Sequence, residues 1–334
     1  MKRIILMFIL VFSLSACREE VNDSTDAHNV FETLWTILDE KYCFFDSKNV
    51  DWDEVHDDYS FRVDTCKSSS SLLSVLGEMV CTLQDGHVNL FAAEDVIRYW
   101  KWFEDYPSNF DTYLLGKERY LGTDYKISAG LEYKILSGNI GYIRYGSFSS
   151  SISDAGLSYI LEYFKDCKGI IIDVRDNSGG NLSNVDKLAC RFTAEKFISG
   201  YICHKTGPGH NDFSDLYPVY VEPYAGKSYT VKKVVVLTNR RCYSATNAFV
   251  STMRQLPNAT IMGDRTGGGG GFPISATLPN GWVVRFSSCP MFDAERQPTE
   301  DGVNPDYTVY LTEHDLQMGY DTIIEAAKLF LQNG

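Results

Sequence analysis

Apolar residues recur at helical spacing twice near the start of the chain, at Phe31, Leu34, Trp35, Leu38 and Tyr42 and again at Leu72, Val75, Leu76, Met79 and Leu83. A rhythm of three to four residues puts one apolar stripe on a single helical face, so the pattern predicts two packed amphipathic helices as an N-terminal unit. From residue 138 the rhythm changes. Runs at 140–145, 169–174, 231–237, 282–286 and 307–311 read as strands, and helix-like stretches near 153–165, 183–196 and 245–256 alternate with them. Such alternation predicts an α/β core. Between the two units, 91–137 is rich in Trp and Tyr, as in YWKWFEDYPSNF (99–110). Rings of this kind pack between domains or line a cleft.

Three segments of the core carry candidate chemistry. CYSATN (242–247) follows the apolar run VKKVVVLTN (231–239) and opens the helix-like AFVSTMRQL (248–256), which places Ser244 at a strand-to-helix turn. A hydroxyl there stands clear of the backbone beside the free N–H groups of a helix start, where developing negative charge is stabilised. The plain alternative is a helix N-cap. GIIIDVRDNSGGN (169–181) is a buried-strand run ending in a glycine pair, which lets backbone N–H groups approach a ligand closely. TEDGVNPDYTVYL (299–311) is a polar turn leading into a last alternating strand.

In this order the segments resemble the tail-specific, or C-terminal-processing, serine protease family, including its tricorn-type branch. NIGYIRYGSFS (139–149), the DVRDNSGG stretch, VVVLTNRRCYSATNAF with IMGDRTGGGGG (261–271) and the EDGVNPD turn carry the match, with LQDGHVNL (83–90) and VFETLWTILDEKY (30–42) extending it. The resemblance implies Ser244 as nucleophile, with one oxyanion-hole N–H from Ala245 and another from Gly179 or Gly180. Many members use a lysine base, but its position falls in the glycine run 267–271, and no lysine stands between Ser244 and Lys328. Arg265 cannot substitute, because a guanidinium stays protonated. The tricorn-type branch uses an earlier histidine and a late carboxylate, which implies His87 as base and Glu300 as the group that orients it, with Asp301 as the fallback. Imidazole has the pKa range for taking a serine proton near neutrality. His204 and His210, in CHKTGPGHND (203–212), have no third ligand at a usable spacing, so no metal site is expected and no cofactor is implied.

The implied fold is an α/β, Clp protease/crotonase-like spiral core with a small N-terminal helical domain. The expected division is a signal peptide over 1–16, a tether over 17–29, the helical domain over 30–92, an aromatic-rich connecting region over 93–137 with no recognisable PDZ module, and the catalytic core over 138–334.

Two further features set the location. Lys2 and Arg3 precede an apolar stretch from Ile4 to Leu14, and LSAC ends at Cys17. This pattern is a secretory signal rather than a spanning helix, and it resembles bacterial lipoproteins cleaved before Cys17 and acylated there. Three acyl chains anchor a protein firmly, so an outer membrane lipoprotein on the periplasmic face or the cell surface is expected. Losing residues 1–16 removes two cations and takes the formal charge from −13 to −15. So acidic a chain argues against nucleic acid and against electrostatic adhesion to membranes, leaving a polypeptide substrate and the lipid anchor. The eight cysteines after Cys17 are dispersed, and no disulfide framework follows from them. The expected activity is a lipid-anchored serine endopeptidase acting outside the cytoplasm. The alternatives are a non-catalytic surface binder of peptides or hydrophobic ligands, suggested by the glycine run and missing lysine, and a crotonase-type acyl-CoA enzyme, ranked last because an exported chain has no access to CoA esters.

Overall fold

The computed structural model describes residues 23–230 and 232–333. The signal segment and Cys17 lie outside the described residues. A seven-stranded sheet forms the centre, in the order Tyr307–Thr308, Ala259–Gly263, Lys233–Thr238, Gly169–Asp173, Ile140–Arg144, Leu131–Leu136, Lys126–Ser128. The first five run parallel and the last two are antiparallel additions at one edge. Parallel neighbours require long crossovers, and the helices Asp154–Tyr163, Ser183–Ala189 and Ala245–Arg254 lie on them. Strands Ile140–Arg144 and Gly169–Asp173 are buried throughout, as strands covered on both faces must be. One face packs Phe164, Leu188, Phe249 and Met253. The other is closed by the last helix, Thr322–Asn333, through Ile323, Ile324, Ala327 and Leu331.

A second sheet runs in the order Val96–Arg98, Asn89–Phe91, Val283–Phe292, Phe197–Ile202, Tyr217–Val221, and Gly271–Thr277 also pairs with Val283–Phe292. The helices Asp23–Lys41, Trp52–Val63 and Ser69–Cys81 pack on it, with Leu34, Leu38, Leu76 and Met79 in one cluster with Val284 and Phe286. The N-terminal unit is therefore seated on strands from the far end of the sequence.

The two amphipathic helices stand where their apolar stripes place them, but the first begins at Asp23 instead of Val30. Ala27 is buried, so part of the expected tether is helix with a packed face. The boundary expected at 138 falls inside the main sheet, because Lys126–Ser128 and Leu131–Leu136 pair in register with Ile140–Arg144 and with each other. Likewise Val96–Arg98 belongs to the second sheet, so 93–137 is shared between both layers.

Asp173 and Arg175, at the end of the buried strand, tie the motif loop to the last helix. Arg175 is fully buried, and its Nη2 donates to Asp173 Oδ2 at 2.6 Å while Nη1 donates to Asp321 Oδ2 at 2.9 Å. Asp321 Oδ1 accepts from the N–H groups of Ile323 and Ile324, capping that helix. Removing one partner of a buried ion pair strands the other. Asp321→Ala should therefore cost roughly 3–5 kcal/mol in urea unfolding; a loss below about 1 kcal/mol, the scale of an exposed pair, would show that this network does not hold the last helix.

Candidate active site

Ser244 sits at the N-terminus of the helix Ala245–Arg254, just beyond the strand Lys233–Thr238. It occupies the cap position, yet its side chain makes no capping hydrogen bond. Its backbone lies at φ 58° and ψ −122°, a conformation that strains any residue with a Cβ by roughly 1–3 kcal/mol. Neighbouring backbone holds it there. Ser244 N–H donates to Gly268 O at 2.8 Å, and Tyr243 N–H donates to Asn177 O at 3.2 Å. The glycine run is needed for this approach: Gly268 has φ +89°, and a side chain there would run into the Glu300 carbonyl.

The turn brings the Ser244 hydroxyl to His87. Oγ lies 3.0 Å from Nε2 across 157 positions of sequence. His87 follows the helix Ser69–Cys81 and precedes the strand Asn89–Phe91, on a turn closed by Val88 N–H donating to Asp85 O. Its ring meets Tyr243 edge-on at 4.9 Å, and Tyr243 stacks on Trp102 at 4.2 Å. Burial lowers His87 to about 4, with Asp85 opposing and Arg285 adding to the shift. Near neutrality the imidazole is therefore unprotonated, as a proton acceptor must be.

The loop 177–181 lies against the nucleophile: a Cβ on Gly179, at φ +101°, would come within 2.9 Å of Ser244 Cβ and 3.0 Å of Ala245 N. Of the three expected oxyanion donors, Gly179 is already engaged, since its N–H donates to Asn177 Oδ1 at 3.0 Å. The sequence left the two glycines open, and this contact disfavours Gly179. Among the described residues, no hydrogen bond takes up Gly180 N–H, and Ala245 N–H opens the helix where first-turn donors are free. Asn177 went unrecognised as a positioning group because its partners, Gly179 and Phe148, are set by the loop's shape rather than by spacing.

Glu300 does not make the expected hydrogen bond to His87. Its Oε1 lies 3.1 Å from Lys48 Nζ, and neither its buried Oε2 nor His87 Nδ1 has a hydrogen-bond partner among the described residues. Lys48 comes from the N-terminal unit, which no local pattern around Glu300 reveals. Burial and the nearby Asp85 push Glu300 up to about 8 against the pull of Lys48. Asp301 is exposed. Cys242, two residues before Ser244, is buried with its Sγ–H donating to Val174 O at 3.0 Å, and burial pushes it up to about 12, so it is no thiolate nucleophile. His210 pairs with Asp39 at 2.7 Å and His204 Nδ1 faces Cys289 Sγ at 3.4 Å; the described residues contain no group of three or more side chains placed to hold a metal ion. Beside Ser244 opens a cavity of about 150 Å³ lined by apolar groups including Leu182, Val185, Val219, Ala248 and Met291.

Residues 139–309 match peptidase family S41 and residues 23–81 match the tricorn protease C1 domain. The chain belongs to peptidase family S41 and is a serine-type peptidase. Among solved structures it is similar to a putative peptidase from Parabacteroides merdae, with 50% identity, a TM-score of 0.88 and coverage of 92% of this chain and 96% of that one. Mature CPAF shares the fold at a TM-score of 0.70 and 12% identity, covering 92% of this chain and 97% of that one. The carboxy-terminal processing protease CtpB of Bacillus subtilis is 26% identical over 157 residues, which is 47% of this chain and 31% of that protein. The match thus spans under a third of the curated relative's length.

The strain at Ser244 is itself measurable. Glycine adopts this backbone freely but loses more entropy on folding than alanine, so Ser244→Gly should unfold at a higher temperature than Ser244→Ala, by the equivalent of about 1 kcal/mol. Equal melting temperatures would mean that the turn stores no strain.

Proposed function

We propose that this peptidase is a lipid-anchored endopeptidase that cleaves unfolded or C-terminal segments of polypeptides outside the cytoplasm, with Ser244 as nucleophile and His87 as base. The 3.0 Å approach of His87 Nε2 to Ser244 Oγ carries the reading. In acylation, Oγ attacks the scissile carbonyl carbon while Nε2 takes its proton, and the carbonyl oxygen becomes an oxyanion facing the N–H groups of Gly180 and Ala245. The intermediate collapses as Nε2–H passes its proton to the leaving amine. Water, deprotonated by the same nitrogen, then hydrolyses the acyl-enzyme. The apolar cavity beside Ser244 suits an apolar side chain of the substrate.

Glu300 enters as the acid that supports the imidazolium. A buried polar atom without a partner costs about 1–3 kcal/mol, and both Glu300 Oε2 and His87 Nδ1 are in that state. A ring tilt that hands Nδ1–H to Oε2 on substrate binding would satisfy both, since catalytic hydrogen bonds often tighten only in the complex. Cys17, outside the described residues, is proposed as the lipidated residue on the strength of the LSAC pattern, with the outer membrane as the location.

The Ser244→Ala and His87→Ala variants should each abolish turnover of labelled casein at nearly unchanged melting temperature, because the two residues act as one unit. Glu300→Gln should lower kcat roughly a hundredfold or more, and Asp301→Asn should matter far less; the reverse order would move the acid one residue on. With His87 held at about 4 instead of 6.5, the limb of kcat/KM set by the base should lie toward pH 4, and a requirement for ionised Glu300, pushed up to about 8, sets a second limb near pH 8. The unfolded chain takes up the His87 proton first, so stability also declines as pH drops from 6.5 toward about 4, and short assays separate that decline from the limb set by the base. Cys17→Ala should leave any exported protein soluble; firm membrane association of that variant would refute the lipid anchor.

A further inference from the structure

Resting on the assignment of His87 as base, we infer that Asp85 is the residue that positions the catalytic pair and places a fixed negative charge beside the imidazole. Asp85 is 1% exposed, and four donors converge on its carboxyl group. Oδ1 accepts the backbone N–H of His87 at 2.7 Å and the phenol of Tyr243 at 3.2 Å. Oδ2 accepts from Ser287 Oγ at 2.8 Å and from the phenol of Tyr42 at 3.2 Å. A single oxygen therefore joins the residue that carries the base to the residue immediately before the nucleophile. The other oxygen ties that junction to the strand Val283–Phe292 and to the end of the first helix.

This arrangement does what the expected Glu300 contact does not. His87 and Ser244 reach their 3.0 Å separation from different layers of the protein, and their side chains touch only where the two turns meet. Asp85 pins one turn by its main chain and the other through Tyr243, whose ring also packs edge-on against His87. All four hydrogen bonds to Asp85 come from neutral groups; Lys48, Glu300 and Arg285 also lie within electrostatic range of it, and Arg285 opposes it at the ring, where Asp85 has the larger influence of the two. The field of Asp85 favours the imidazolium that forms as Ser244 gives up its proton.

Asparagine at this position tests the charge while keeping the shape. Its oxygen still accepts from His87 N–H and Tyr243, and the hydroxyls of Ser287 and Tyr42 can turn to accept from its amide. Asp85→Asn should lower kcat on labelled casein roughly a hundredfold with KM within about threefold, at a melting temperature close to that of the parent. Its acid limb, the one set by His87, should move to lower pH, because loss of the neighbouring charge makes His87 a weaker base. A purely structural role would instead lower the melting temperature and leave kcat per folded molecule and the acid limb unchanged, which would overturn the inference. His87→Ala is run alongside: activity surviving in that variant would refute the base assignment and the inference with it, while inactivity of His87→Ala with kcat of Asp85→Asn within about threefold of the parent would refute the role of Asp85 alone. If Asp85→Asn does not fold, the double variant Tyr42→Phe, Ser287→Ala keeps the charge and removes both donors to Oδ2. It should lower kcat about tenfold at constant KM, and an unchanged kcat would overturn the positioning role.

Discussion

The positive φ of Ser244 is the constraint on which the site depends. Roughly 1–3 kcal/mol of backbone strain persists only if the surroundings over-determine it, and here two loops do so. Gly268 supplies the carbonyl that holds Ser244 N–H, Asn177 supplies the carbonyl that holds Tyr243 N–H, and Gly179 fits against the turn where a Cβ would collide with Ser244 and Tyr243. The glycine run, which on sequence grounds suggested a degenerate site, is thus a requirement of close backbone approach. A side chain would meet backbone at Gly268 and Gly270 and the side chains of Tyr243 and Ser287 at Gly269 and Gly271, so the run leaves no room for a lysine.

With no lysine in that stretch, the proposed base, His87, comes from the N-terminal unit. His87 rides on the turn between a helix of that unit and a strand of the second sheet. The same unit supplies Tyr42 to Asp85 and Lys48 to Glu300. On the proposed mechanism, catalytic competence requires the helical layer to be docked on the strand Val283–Phe292, whose apolar residues Val284 and Phe286 share its core. Fold and active site are joined at one interface.

Much of this was legible in the sequence where a periodicity or a glycine motif has a local cause. The stripes at Phe31–Tyr42 and Leu72–Leu83, the buried runs at 140–145 and 169–174, and the strand-to-helix turn at Ser244 all express short-range rules. The strands Phe197–Ile202, Tyr217–Val221 and Gly271–Thr277 escaped because they are short, carry glycine or proline, and take their register from distant partners. Asp85 lies within the segment LQDGHVNL (83–90), yet nothing local distinguishes a hub from a turn acid. Its four partners sit at positions 42, 87, 243 and 287, and three of them are visible only in three dimensions.

The burial of His87 has a cost and a use that point the same way. Taking an imidazole out of water disfavours its charged form, which keeps Nε2 free to accept a proton but makes the imidazolium harder to form. A site with only that feature would hold a ready base with a poor transition state. On the proposed mechanism Asp85, fixed by four donors, offsets the difficulty by raising the base strength of the ring, while Glu300, pushed up by burial to about 8, keeps one oxygen without a partner. A base kept neutral by dryness, with anionic help arranged close by, is how a buried histidine can both wait unprotonated and carry charge briefly during attack.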